Sequence, residues 1–363
     1  MSRVVIIANT YSQMILAMQM NFTVFKDSSI VLLLSDHSKN TDVISERLNN
    51  ENVFEKVCYF HSKGLVAGRT KADKLKDFKD ITFKKTNRYS SYIEGIDDLR
   101  FDELICFNYN IDIIGLYSIL SDVNSDIKVS LYEEGVLSYW VYFDDNYRRK
   151  LIRSFRHLRG KKDISEAFSK FYCYYPELYK GDLETVKIPS VAPGSECSKL
   201  LKKIFLLEDD KLAYNEKYIF FTSVYDFEGG EPIGEYELVM KVAELVGKDN
   251  LVIKTHPRDE RDVFEKSGIR VDKNASIPWE AIQLSKDFSD KVFLTATSGS
   301  VLAGSFMAEK PSRTFYMYKL CDISENQSAQ KSAKDIEALV NNADMKNVLR
   351  TVSIAEKIED ILT

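Results

Sequence analysis

"RVVIIANTYSQMILAMQMNF", residues 3–22, decides the fold. After Arg3 comes a short apolar run, Val4–Ala8. The remainder places apolar residues at helical spacing behind a threonine. A strand followed at once by a helix is the opening of an α/β unit, and the pattern recurs downstream. "SIVLLLSD" (29–36) is a second buried strand, and "TDVISERLNN" (41–50) is a helix opening on a capping Thr. "VFEKVCYF" (53–60), "DELICFN" (102–108) and "DIKVSLY" (126–132) continue the strands, with the helix "DIIGLYSILSDVN" (112–124) between the last two. Strands apolar on both faces are covered by helices on both sides, which predicts a parallel sheet.

The alternation pauses and then restarts. "KIPSVAPGSECSKL" (187–200) gathers Pro, Gly and Ser and reads as a linker. Beyond it come "KYIFFTSV", the helix "EYELVMKVAELVG", "NLVIKTHP", "GIRVD", the helix "PWEAIQLSK", "KVFLTATSGS", the helix "VLAGSFMAE" and "RTFYMYKL". The expectation is an α/β protein of two Rossmann-like domains facing across a cleft. Residues 1–193 form the first domain, 194–214 the linker and 215–363 the second. In such sheets ligands bind at the carboxyl ends of the strands.

The 363 residues are 44% hydrophobic and 29% charged, the composition of an ordinary globular protein. A net charge of −5 lacks the basic imbalance of a nucleic-acid binder. No apolar run approaches the roughly 18 residues of a membrane span, and the N-terminus reads as a strand and not as a signal peptide. Five scattered cysteines without CxxC spacing fit reduced thiols in the cytoplasm and suggest no metal site. "DDNYRRKLIRSFRHLRGKK" (144–162) is strongly basic on a helical pattern. It reads first as a solvated helix face. Its sharper reading, over 148–162, is a peripheral contact with an anionic membrane. The reading admits a homodimer.

Candidate chemistry gathers at strand ends. "LYEEGVLSYW" (131–140) puts Glu133, Glu134 and Gly135 after an inner strand. In "NLVIKTHPRD" His256 ends a strand, and Pro257 biases it to an extended conformation and so fixes the direction of the imidazole. Taken alone, a strand-terminal histidine more often makes a structural hydrogen bond. Lys254 and Arg258 make this locality cationic and suited to a phosphate. "LTATSGSVLAG" (294–304) runs a strand through Thr297, Ser298 and Ser300 into a helix. Hydroxyls and amides at such a start are either an ordinary cap or an anion site. Pro278 opens a helix whose first turn carries Glu280, a residue that either favours the helix dipole or accepts hydrogen bonds from a ribose diol.

In that order, "EEG", "HP" and "TSGS" resemble the motifs of the bacterial sialyltransferases. The resemblance is to the lipooligosaccharide and capsule sialyltransferases (glycosyltransferase family 52), with the bacterial polysialyltransferases (family 38) next. It covers the whole domain layout, but its motifs amount to about a dozen residues. It implies a GT-B glycosyltransferase that inverts without metal or other cofactor. The implied donor is CMP-sialic acid, held by the second domain, and the acceptor a galactose-type hydroxyl of a surface glycan, held by the first. By the family's pattern Pro278 and Glu280 hold the cytidine ribose. A carboxylate crowded by a second one suits a general base, so Glu134 is expected as the base and Glu133 as its tuning neighbour. His256 is expected to stabilise or protonate the leaving phosphate, and Thr297, Ser298, Ser300, Lys254 and Pro257 to cradle it. Some members of the family place the base after the first strand of the second domain. Here that loop, "TSVYDFEGGEP" (222–232), offers Asp226 and Glu228. Asp144 and Asp145 read as loop residues. The rival readings are a transferase of another sugar such as glucose or Kdo, a nucleotide-sugar epimerase, and a non-catalytic glycan-assembly subunit.

Overall fold

The computed structural model describes residues 1–38, 40–62, 70–82, 93–140, 147–158, 160–208, 213–228, 231–272, 274 and 277–363. The chain divides into two compact units, Met1–Pro189 and Ser190–Thr363. The first is built on eight strands: β1 (Arg3–Ala8), β2 (Ser29–Ser35), β3 (Lys56–Phe60), β4 (Ile93–Glu94), β5 (Glu103–Cys106), β6 (Lys128–Tyr132), β7 (Phe168–Cys173) and β8 (Glu184–Lys187). Their order is β4-β3-β2-β1-β5-β6-β7-β8. All pairs are parallel except β3 with β4. β1 and β2 are buried at nearly every position, because helices cover both faces. The chain leaves β1 toward β2 and later resumes on its other side at β5. The switch point therefore lies between β1 and β5, where doubly wound sheets open a crevice at the strands' carboxyl ends.

The second unit repeats the plan on β9 (Tyr218–Phe221), β10 (Leu251–Lys254), β11 (Arg270–Asp272), β12 (Val292–Thr295), β13 (Arg313–Tyr316) and β14 (Val352–Ile354). The order is β11-β10-β9-β12-β13-β14, all parallel, with the switch point between β9 and β12. Its core gathers Phe220, Val239, Val242, Leu251, Ile253 and Leu294, all without solvent exposure.

One expectation needs correcting. The stretch expected as linker, 194–214, carries the helix Glu196–Ile204, which buries Cys197, Leu200, Leu201 and Ile204 and packs on the helix Trp279–Ser285. Ser195 caps it by accepting from the Ser198 N–H, and Gly194 precedes it at φ +76°. The Pro/Gly/Ser cluster is thus a turn and a helix cap inside the second unit. The neighbouring Val191 also belongs there, through a bridge to Ala308. Residues 209–212 of the expected linker lie outside the described residues.

The basic segment is helical, as its pattern suggests. It forms the helix Tyr147–His157, yet much of its charge is engaged. Arg156 is buried, donating to Ser118 Oγ, Ser121 Oγ and the Lys162 carbonyl over the Tyr117 ring. His157 pairs with Glu166, Lys161 with Asp122 and Lys162 with Asp126. Lys150, Phe155 and Leu158 are exposed, Leu158 at 81%. Among the described residues no helix is long and apolar enough to cross a membrane.

Candidate functional site

Glu133 and Glu134 follow β6, and their side chains diverge as successive residues of an extended chain do. Glu133 turns inward and is 5% exposed. Its carboxylate accepts from the Tyr139 hydroxyl and from the Tyr174 N–H, the latter at 2.9 Å. Burial pushes its pKa up to about 7, against the pull of those two donors. Glu133 is therefore a brace between the end of β6 and the segment after β7. Glu134 is exposed as a residue, but its Oε1 accepts from Gln13 Nε2 at 2.9 Å. Its pKa is raised by burial of the carboxylate and lowered in part by the Gln13 amide. The expected crowding of one carboxylate by the other is replaced by desolvation. Gly135 sits at φ +101°, a backbone region open essentially to glycine, and turns the chain away after Glu134.

In the second unit the register aligns Asp272, Lys254, Phe221, Thr295 and Tyr316 across the sheet. Two residues further on stand His256, Ser223 and Thr297, so the "HP" and "TSGS" motifs share one carboxyl edge. The His256 N–H donates to Thr222 Oγ1 at 2.9 Å, and the ring Nδ1 accepts from the Arg258 N–H at 3.2 Å. With Nδ1 filled as an acceptor, the neutral ring carries its proton on Nε2. Burial and then Arg258 lower the pKa, outweighing Glu228 and Asp259. Pro257 occupies the second position of a turn closed by the Asp259 N–H on the His256 carbonyl at 2.8 Å.

Thr297 is buried. Ser298 donates its N–H to Thr295 Oγ1, and its hydroxyl lies 2.9 Å from that of Ser300. Gly299 stands at the cap of the helix Ser300–Met307 without a side-chain hydrogen bond, which leaves the hydroxyl pair beside first-turn amides suited to an anion. Pro278 caps the helix Trp279–Ser285, with Glu280 in its first turn, following the carboxyl end of β11.

Other candidates are engaged structurally. Lys254, expected at the phosphate, is buried, with Nζ 2.8 Å from Asp272 Oδ2 and 2.9 Å from the Asn274 carbonyl. Burial works against the charge of Asp272, yet Lys254 holds its pKa below the usual carboxylate value. Removing one partner strands a buried charge. Lys254→Ala is expected to cost about 3–5 kcal/mol of stability, read as an earlier urea midpoint, whereas His256→Ala should leave the midpoint near the parent's. Asp226 accepts from the Ile233, Glu235 and Tyr236 N–H groups and so caps the helix Glu235–Val246. Glu228 pairs with Arg258 at 2.7 Å. Asp144 and Asp145 lie outside the described residues. Among those described, no three His, Cys, Asp or Glu side chains are grouped to hold a metal ion.

The family model for alpha-2,8-polysialyltransferases (POLYST) matches residues 3–292. The chain belongs to that family. It is a glycosyltransferase of the sialyltransferase kind, and each of its two units carries the doubly wound, mainly parallel sheet expected of a Rossmann-like domain. The span matched to the polysialyltransferase family takes in Glu133, Glu134, His256, Pro257, Pro278 and Glu280, and it ends ahead of Thr297, Ser298 and Ser300. Similar solved structures include an alpha/beta-galactoside alpha-2,3-sialyltransferase from Photobacterium phosphoreum, at 11% identity and TM-score 0.48, covering 99% of this chain and 98% of that one. MurG of Acinetobacter baumannii is similar at 10% identity and TM-score 0.42, covering 99% and 89%. The calicheamicin glycosyltransferase CalG4 is similar at 10% and 0.49, covering 98% and 87%. No curated protein matches the chain.

Two residues now in view carried no signal of their own. Gln13 is one of two glutamines in a largely apolar helix, and Thr222 is a strand-end threonine. Only the fold brings them to Glu134 and His256.

Proposed function

We propose that the chain transfers sialic acid from CMP-sialic acid to a hydroxyl of a surface glycan, lipooligosaccharide or capsule, in one inverting displacement. Glu134 takes the acceptor's proton as its oxygen bonds to the anomeric carbon. The bond from that carbon to the phosphate oxygen breaks, and CMP leaves. The His256 Nε2–H donates a hydrogen bond to the departing phosphate, Thr297, Ser298, Ser300 and the first-turn amides receive its charge, and Pro278 and Glu280 hold the ribose. These groups leave no step that needs a metal. The observation that carries the reading is the placement of Glu134 and His256, each at the carboxyl edge of its own sheet. The described linkage of the family favours a sialic-acid-terminated acceptor; the galactose-terminated one is the second reading. We place the reaction in the cytoplasm, with the exposed Lys150, Phe155 and Leu158 touching the inner face of the membrane.

The test is incubation with CMP-sialic acid in excess EDTA, with an alpha-2,8-linked sialyl oligosaccharide or lactose as acceptor. CMP release and extension of the sialyl oligosaccharide are expected at the metal-replete rate. Preferential extension of lactose would select the second acceptor. Activity lost with EDTA and restored by magnesium or manganese would overturn metal independence and promote Asp144 and Asp145 to candidate ligands. No CMP release under either condition would favour the non-catalytic assembly subunit.

A further inference from the structure

We infer that Gln13 is the positioning residue of the base, orienting the Glu134 carboxylate so that one oxygen is anchored and the other is presented to the acceptor hydroxyl; the inference rests on Glu134 being that base. Gln13 is 2% exposed, in the first turn of the helix Tyr11–Phe22 directly after β1. Its amide cannot be turned round. Oε1 accepts from the Asn9 N–H at 2.6 Å and the Thr10 N–H at 3.1 Å, so Nε2 is the end that faces Glu134. Thr10 completes a reciprocal capping box by accepting the Gln13 N–H at 3.2 Å. The amide is thus locked from behind by two backbone donors and delivers its own donor to Glu134 Oε1 at 2.9 Å. Among the described residues Oε2 of Glu134 has no assigned hydrogen bond.

The arrangement sits beside the β1/β5 switch point of the first unit, where a doubly wound sheet receives its ligand. A capping box needs only an acceptor at this position, and glutamate serves it as well as glutamine. The donated hydrogen bond to Glu134 is what glutamine adds. That bond also lowers the pKa of Glu134, opposing the effect of burial and keeping the base ionised further toward acid pH.

Gln13→Glu separates the two roles, because it keeps the acceptor for Asn9 and Thr10 and replaces the amide donor by a second carboxyl group. The pair then titrates jointly, and its upper apparent pKa rises. The acidic limb of the kcat–pH profile is expected to move up by about one pH unit or more, so that at a pH below both limbs kcat falls roughly 10-fold while the KM for CMP-sialic acid and the melting temperature stay near the parent's. Gln13→Met, which lacks both donor and acceptor, should move the same limb in the same direction, and serves as the readout if Gln13→Glu does not fold. A Gln13→Glu profile that superimposes on the parent's, with Glu134→Gln inactive, overturns the positioning role alone. A fully active Glu134→Gln overturns the base assignment and this inference with it.

Discussion

Glu134→Gln lowers transfer by roughly 100- to 10,000-fold, the range lost with a general base, while CMP-sialic acid still binds. The amide has the size and shape of the carboxylate, and its oxygen can still accept from Gln13 Nε2, so the local structure keeps the contact seen in the parent. What disappears is the lone pair that takes the acceptor's proton. Donor affinity, measured by calorimetry with CMP, should be unchanged. Glu228→Gln is the sharpest control, since its carboxylate pairs with Arg258 beside His256. If Glu228→Gln abolishes transfer while Glu134→Gln remains active, the base lies in the second unit. Asp226→Asn is read differently. Asp226 accepts three backbone N–H groups at a helix start, so a loss there is first a loss of that cap and must be corrected for stability.

The neighbouring pair shows how far the sequence could be read. "EEG" at a strand end located the base candidate and the glycine that turns the chain. The division of labour within the pair needed the fold. Glu133 is held by Tyr139, six residues on, and by Tyr174, which reaches it only because β7 pairs with β6. β7 itself was missed: "FSKFYC" opens with two polar residues in three, and its burial pattern is half intermediate. β8, with no buried residue, reads as loop for the same reason. The central strands were legible because burial on both faces demands continuous apolar runs, whereas the edge strand β8 and its neighbour β7 are less buried and escape that demand. Lys254 misled for a related reason. Its cationic surroundings were visible along the chain, but Asp272 arrives beside it through the parallel pairing of β10 with β11, which local sequence does not encode. The expected linker failed through its punctuation, since Pro, Gly and Ser mark a helix cap as readily as a tether.

His256→Ala is expected to cost about 100-fold or more in transfer, the scale of losing one donor to a developing negative charge. The hydrogen-bond pattern goes further and distinguishes a donor from an acid. Nδ1 accepts from the Arg258 N–H, so a second proton on the ring would point at that N–H and would have to displace it. Burial and the Arg258 charge already lower the pKa, which leaves the ring neutral near pH 7 with its hydrogen on Nε2. A neutral imidazole that protonated the phosphate would have to become an anion, which is prohibitive, so the group acts by hydrogen bonding to the departing CMP. His256→Gln then places an amide N–H near the position of Nε2 and should recover much of the activity, to within about 10-fold of the parent. Once the pH exceeds the ring's lowered pKa, kcat should stay level through the rest of the histidine range, because the working form is the unprotonated one. A His256→Gln variant as inactive as His256→Ala, together with a kcat that falls as pH rises through this range, would show that the leaving phosphate needs a proton from an imidazolium, and the donor role would be wrong.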